Sequence, residues 1–170
     1  MGTDIHASVE VTESTDERSW VASFLKVALP RDYSLFSLLA GVRSHDTGVT
    51  ALIPPKGLPS AISRETLSRL ELVVDDDLAA VECENACTRA QAEAWVVSGT
   101  SRYLDVDQNR ILDPDAFAVS WLRTDEVARV VNEYSARWQL APTELSAVLA
   151  AMRICEAAKR PARLVLWFRG

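Results

Sequence analysis

The chain has 170 residues, 48% of them hydrophobic and 25% charged, with a formal net charge of −6. That length fits a single domain over residues 1–170 with a core of its own, and the composition excludes collagen-like, disordered and disulfide-scaffold classes. No apolar run reaches the roughly 18 residues a membrane span needs. A soluble protein without a membrane role is expected, and an acidic chain has no general pull toward phosphate backbones, so direct nucleic-acid binding is not expected.

In chain order, residues 4–12 alternate, with Ile5, Ala7, Val9 and Val11 on one face and Asp4, His6, Ser8 and Glu10 on the other. Period two predicts a strand half-buried on one side. A polar turn leads to a second strand from Trp20, which ends at Pro30. Asp32 is placed to cap a short helix from Tyr33 that Gly41 stops. Residues 45–59 read as loop because Pro54, Pro55 and Pro59 break regular structure. Ser63 opens another short helix with Leu67 and Leu70 spaced to pack, and Thr88 with Gln91 forms a capping box for a helix to about Val97. A hairpin is predicted over 101–112, turning near Gln108 and Asn109. Thr124 caps a helix striped by Val127, Val130, Val131, Tyr134 and Trp138. A second long helix starts at Pro142 and Thr143, with Leu145, Val148, Leu149, Met152 and Cys155 inward. Residues 163–169 are apolar on both faces, as a central strand would be. Strands at both ends with helices between predict an α+β fold, a mainly antiparallel sheet covered by helices.

The chemistry-bearing residues are few. Cys83, Cys87 and Cys155 form no paired metal spacing and are expected as free thiols of an intracellular, cytoplasmic protein. No basic stretch followed by an apolar one marks a secretory signal. The run Asp105, Asp107, Asn109, Ile111, Asp113 resembles the start of a calcium loop, but Arg110 and Ala116 stand where that loop needs Gly and a bidentate acid. Asp4 and His6 share a strand face about 6.6 Å apart, close enough to serve one divalent cation or one proton transfer. His45 and Asp46 would complete a metal set if their loop folded over that strand. The plainer alternative is local hydrogen bonding on a solvent- or loop-facing strand. Nucleophile-elbow, phosphate-loop, zinc-helix and dinucleotide signatures are absent, and no cofactor is expected.

Five short motifs, in order, resemble a family of phage and bacterial proteins with no established activity. Met1-Gly-Thr-Asp-Ile-His6 resembles its opening M-G-x-D-I-H. Arg31-Asp-Tyr-Ser-Leu-Phe36 is similar to R-[ND]-Y-x-L-F, and Pro54-Pro-Lys-Gly-Leu-Pro59 to P-P-R-G-L-P. Ser120-Trp-Leu-Arg-Thr-Asp-Glu126 resembles S-W-L-T-x-x-E, and Leu164-Val-Leu-Trp-Phe168 the closing V-V-F-W-F. Relatives commonly carry a His shortly before S-W-L and end in F-D-N, whereas this chain has Asp115-Ala-Phe-Ala118 and ends Phe168-Arg-Gly170. A family site built from the opening Asp and His, that second His and the terminal Asp would here have lost half its residues. Asp113 or Asp115 would be left to substitute, and Arg31 with Tyr33 would remain as an anion-contacting pair.

The expected function is that of a phage-type or mobile-element accessory protein, non-enzymatic, binding and modulating a host macromolecule. Its acidic stretch over 71–84, with Asp75, Asp76, Asp77, Glu82 and Glu84 and no Lys or Arg, would face a basic protein partner. The alternatives are a small metal-dependent or acid–base hydrolase using Asp4, His6, Arg31 and Tyr33, and a binder of a small anionic, nucleotide-like ligand at Arg31 and Tyr33.

Overall fold

The computed structural model describes residues 2–12, 19–70, 72–75, 86–98, 103–104, 110–111 and 117–170. Its centre is a four-stranded antiparallel sheet made of β1 (Asp4–Thr12), β2 (Trp20–Val27), β7 (Phe117–Arg123) and β8 (Ala162–Arg169), in the order β2-β1-β8-β7. The first and last strands are therefore the two inner ones. Their register sets Asp4 opposite Arg169, His6 opposite Trp167, Ser8 opposite Val165 and Glu10 opposite Arg163. Two-residue ladders add β3 (Val73–Val74) with β4 (Ala86–Cys87), and β5 (Tyr103–Leu104) with β6 (Arg110–Ile111). The fold is α+β.

One face of the sheet is covered by α1 (Tyr33–Ala40), α5 (Thr124–Trp138) and α6 (Thr143–Ala157), which bury Ile5, Val9, Leu122, Leu164, Leu166 and Phe168. Asp32 caps α1 by accepting from the Ser34 and Leu35 amides, and Gly41 ends it at φ +71. These are the conformations that an acidic N-cap and a C-terminal glycine supply. The Asp32 carboxylate also accepts from Tyr134 Oη at 2.5 Å, tying α1 to α5. The α5 stripe packs as its spacing requires: Val127, Val130 and Tyr134 are buried and Trp138 lies at the exposed end. Thr124 is not the cap. The helix starts on it, Glu126 accepts from the Arg123 amide, and the Thr124 hydroxyl donates to Glu156.

The other face departs from the half-buried strand that alternation predicts. Ser8, Glu10 and Thr12 are fully buried there: Ser63 reaches Glu10 and Arg69 reaches Ser8, and a second apolar cluster is built on Leu58, Leu70, Cys87, Ala92, Val119 and Trp167. The polar side of β1 is covered because distant segments return over it. Residues 45–59 are irregular except for a turn of helix, α2 (Ser44–Thr47), and Ser63 caps α3 (Arg64–Arg69) as expected. Thr88 and Gln91 form the capping box of α4 (Arg89–Ser98) through reciprocal bonds. Cys87 is buried and Cys155 partly so, both as thiols outside any disulfide. Cys83, the hairpin turn, the calcium-loop look-alike at Asp105, Asp107, Asn109 and Asp113, and the possible substitute Asp115 lie outside the described residues. No helix among the described residues is long and apolar enough to cross a membrane.

Candidate functional site

The polar face of β1 and β8 is one continuous strip with two unlike ends. At the buried end, Arg163 reaches Glu10 at 2.7 Å, with the two side chains 4% and 0% exposed. An unpaired charge there would be costly, and both charged groups are hydrogen-bonded on more than one side. Arg163 Nε donates to Glu10 Oε2, and its two Nη atoms donate to the Ser60 and Ala61 carbonyls. Glu10 Oε1 accepts from the Ser63 amide, and the guanidinium lies 3.9 Å from the centroid of the Trp20 ring. Turning two carbonyls inward places Ala61 at φ +49, a left-handed conformation costly for any residue but glycine.

The segment over this pair is pinned at further points. The Lys56 amide donates to Ser120 Oγ, and Lys56 Nζ reaches Glu126 while lying 4.1 Å from the Trp121 centroid. Arg89 donates to the Leu58 and Pro59 carbonyls. Beside it opens a cleft of about 230 Å³ lined by Trp20, Ser60, Trp121, Arg123, Asp125, Glu156 and Arg163.

At the open end of the strip, Asp4 accepts from Arg31 Nε at 2.9 Å and Nη2 at 2.6 Å, and both side chains are more than half exposed. Asp4 raises the Arg31 pKa, first through the hydrogen bonds and then through its charge. Gly2 makes room for this contact, since a Cβ there would meet Arg31 Nη1 at 2.3 Å. His6 is exposed and stacks on the buried Trp167, with centroids 5.8 Å apart and planes within 14°. Arg169 stands opposite Asp4 and donates to the Arg69 carbonyl, while the Arg69 guanidinium donates to Ser8 Oγ.

The sequence candidates divide accordingly. Asp4, His6 and Arg31 come together at the open end. The Tyr33 ring lies 5.2 Å from the Arg43 guanidinium, and Tyr33 is also a minor electrostatic neighbour of Arg31. His45 and Asp46 pair with each other at 3.1 Å in α2. His45 lines a separate recess of about 360 Å³ with Thr3, Val42, Arg43 and Phe117. Neither of these two clefts takes in Asp4, His6, Arg31 or Tyr33. Among the described residues, no group of three or more His, Cys, Asp or Glu is placed to hold a metal ion. Of the acidic stretch, Asp75 is described and exposed, whereas Asp76, Asp77, Glu82 and Glu84 lie outside the described residues.

Sequence reasoning missed Glu10, Arg163, Trp20, Trp121, Lys56 and Arg69. The available signal was Arg163 at the head of a strand apolar on both faces, where a charge requires a partner. Compared with known proteins, the chain matches no family model, no curated protein and no solved structure. The five motifs are nonetheless joined by direct contacts: Asp4 with Arg31, His6 with Trp167, Phe36 with Phe168, and Lys56 with Ser120 and Glu126.

Proposed function

We propose that this chain is a non-enzymatic binding protein, a phage-type or mobile-element accessory product that modulates a host macromolecule. The observation that carries the reading is the commitment of Asp4 to Arg31. A hydrolytic centre on the first strand would need that carboxylate as a base or metal ligand, and a guanidinium giving it two hydrogen bonds opposes both roles. His45 and Asp46, the other half of such a centre, are paired with each other in α2. The partner surface is the acidic stretch containing Asp75, Asp76, Asp77, Glu82 and Glu84, which would steer a basic protein and fix its orientation by charge complementarity.

The test is capture from host lysate by the immobilised protein at low and high salt, beside a variant carrying Asp75→Asn, Asp76→Asn, Asp77→Asn, Glu82→Gln and Glu84→Gln. The expected result is a defined basic partner that binds purified wild type, is released by salt, and is lost by a variant with unchanged melting temperature. Equal capture by the variant would overturn the acidic surface. Metal-dependent turnover of simple phosphate or carboxylate esters, abolished by Asp4→Asn, would overturn the non-enzymatic reading.

A further inference from the structure

The open end of the β1–β8 strip concentrates positive charge on a chain whose formal net charge is −6. Three arginines lie along it: Arg31 bound to Asp4, Arg169 across the strand pair from Asp4 with its guanidinium on the Arg69 carbonyl, and Arg69 on Ser8. Strand register places Arg169 directly across from Asp4, and Arg31 reaches the same carboxylate from the segment before α1. Arg69 contacts Ser8, four residues further along β1, so the cationic run extends over roughly 13 Å. Between its ends lies the exposed His6 ring, held flat on buried Trp167.

We propose that this surface binds a phosphate-bearing ligand with a planar base, a nucleoside polyphosphate. Guanidinium forks match phosphate oxygens in shape and charge. A span of that length exceeds what one phosphate can touch, which favours a ligand with several anionic groups. The His6 ring, kept in orientation by Trp167, gives the base a surface to stack on. In the free protein Asp4 occupies the Arg31 fork, and the ligand displaces it. The two proposals name different residues, so either assignment stands if the other fails.

Asp4 makes the proposal sharply testable, because removing it has opposite effects on an anion site and a cation site. Wild type, Asp4→Asn, an Arg31→Gln/Arg169→Gln double variant and a remote control, Arg137→Gln, are each titrated calorimetrically with ATP, AMP, pyrophosphate and inorganic phosphate. ATP is expected to bind more tightly than pyrophosphate, and both more tightly than inorganic phosphate, with affinity falling as salt rises. The double variant is expected to lose about tenfold or more, Asp4→Asn to gain several-fold, and Arg137→Gln to match wild type. Pyrophosphate binding as well as ATP would keep the polyanion site and remove the base contact. Absence of heat with every phosphate, ATP binding unchanged in a folded double variant, or weaker binding in Asp4→Asn would overturn the proposal. The variants lie at exposed or partly exposed positions, and a melting curve for each separates loss of binding from loss of fold.

Discussion

Two arginine–carboxylate pairs on the same strip differ in what they do because they differ in burial. Glu10 and Arg163 are out of water, and Arg163 also holds the Ser60 and Ala61 carbonyls. Glu10→Gln leaves a buried guanidinium without its counter-charge and is expected to cost about 3–5 kcal/mol in urea unfolding. Arg163→Lys should not rescue the pair's role, since an ammonium cannot reproduce the planar fork that reaches both partners. Arg31→Gln, at the exposed end, should leave the urea midpoint unmoved, because solvent screens a pair that is more than half exposed. Tyr134 adds a pH signature. Burial and the bond to Asp32 push its phenol up to about 12, above the ordinary value near 10. A phenol that holds its proton more tightly when folded stabilises the protein below pH ~10 and loses that contribution as pH rises toward 12. Tyr134→Phe is therefore expected to cost about 1.5–3 kcal/mol at neutral pH and to flatten the alkaline fall in stability, read from unfolding curves between pH 8 and 12.

At the scale of elements, local signals were legible and long-range closure was not. Asp32, Gly41, Ser63 and the Thr88–Gln91 pair announce helix ends because caps act over three or four residues, and the structure places them at those ends. Alternation likewise gives β1 its bounds. It could not show that Ser63 returns to Glu10 and Arg69 to Ser8, since the pattern of residues 4–12 carries no information about residues fifty positions away. The same gap separates His45 from Asp4: their closeness in the chain's polar set gave no information about where α2 would lie. Left-handed residues were equally invisible without the turn geometry. Gln139 closes α5 at φ +51, its amide donating to Ser135, in a position that favours glycine. Gln139→Gly is expected to raise stability by roughly 0.5–1 kcal/mol, measured as a higher urea midpoint with an unchanged slope.

For the whole molecule, pairing the first strand with the last means that the sheet's centre cannot form until both are present. Removing residues 162–170 takes away an inner strand, the Arg163 anchor and the Phe168 contact with Phe36, and should abolish cooperative unfolding by circular dichroism. Such long-range pairing also predicts folding on the slower, millisecond-to-second side for a chain of this size. The strip that these two strands create is sealed at one end by a structural ion pair and open at the other, where arginines outnumber carboxylates. The most direct measurement is the melting temperature of wild type and Asp4→Asn across titrations of ATP and of Zn²⁺. A saturable ATP shift that grows in Asp4→Asn, with no Zn²⁺ shift that depends on Asp4, is the expected result. A Zn²⁺ shift in wild type that disappears in Asp4→Asn, with no response to ATP, would contradict it and make the open end a metal centre.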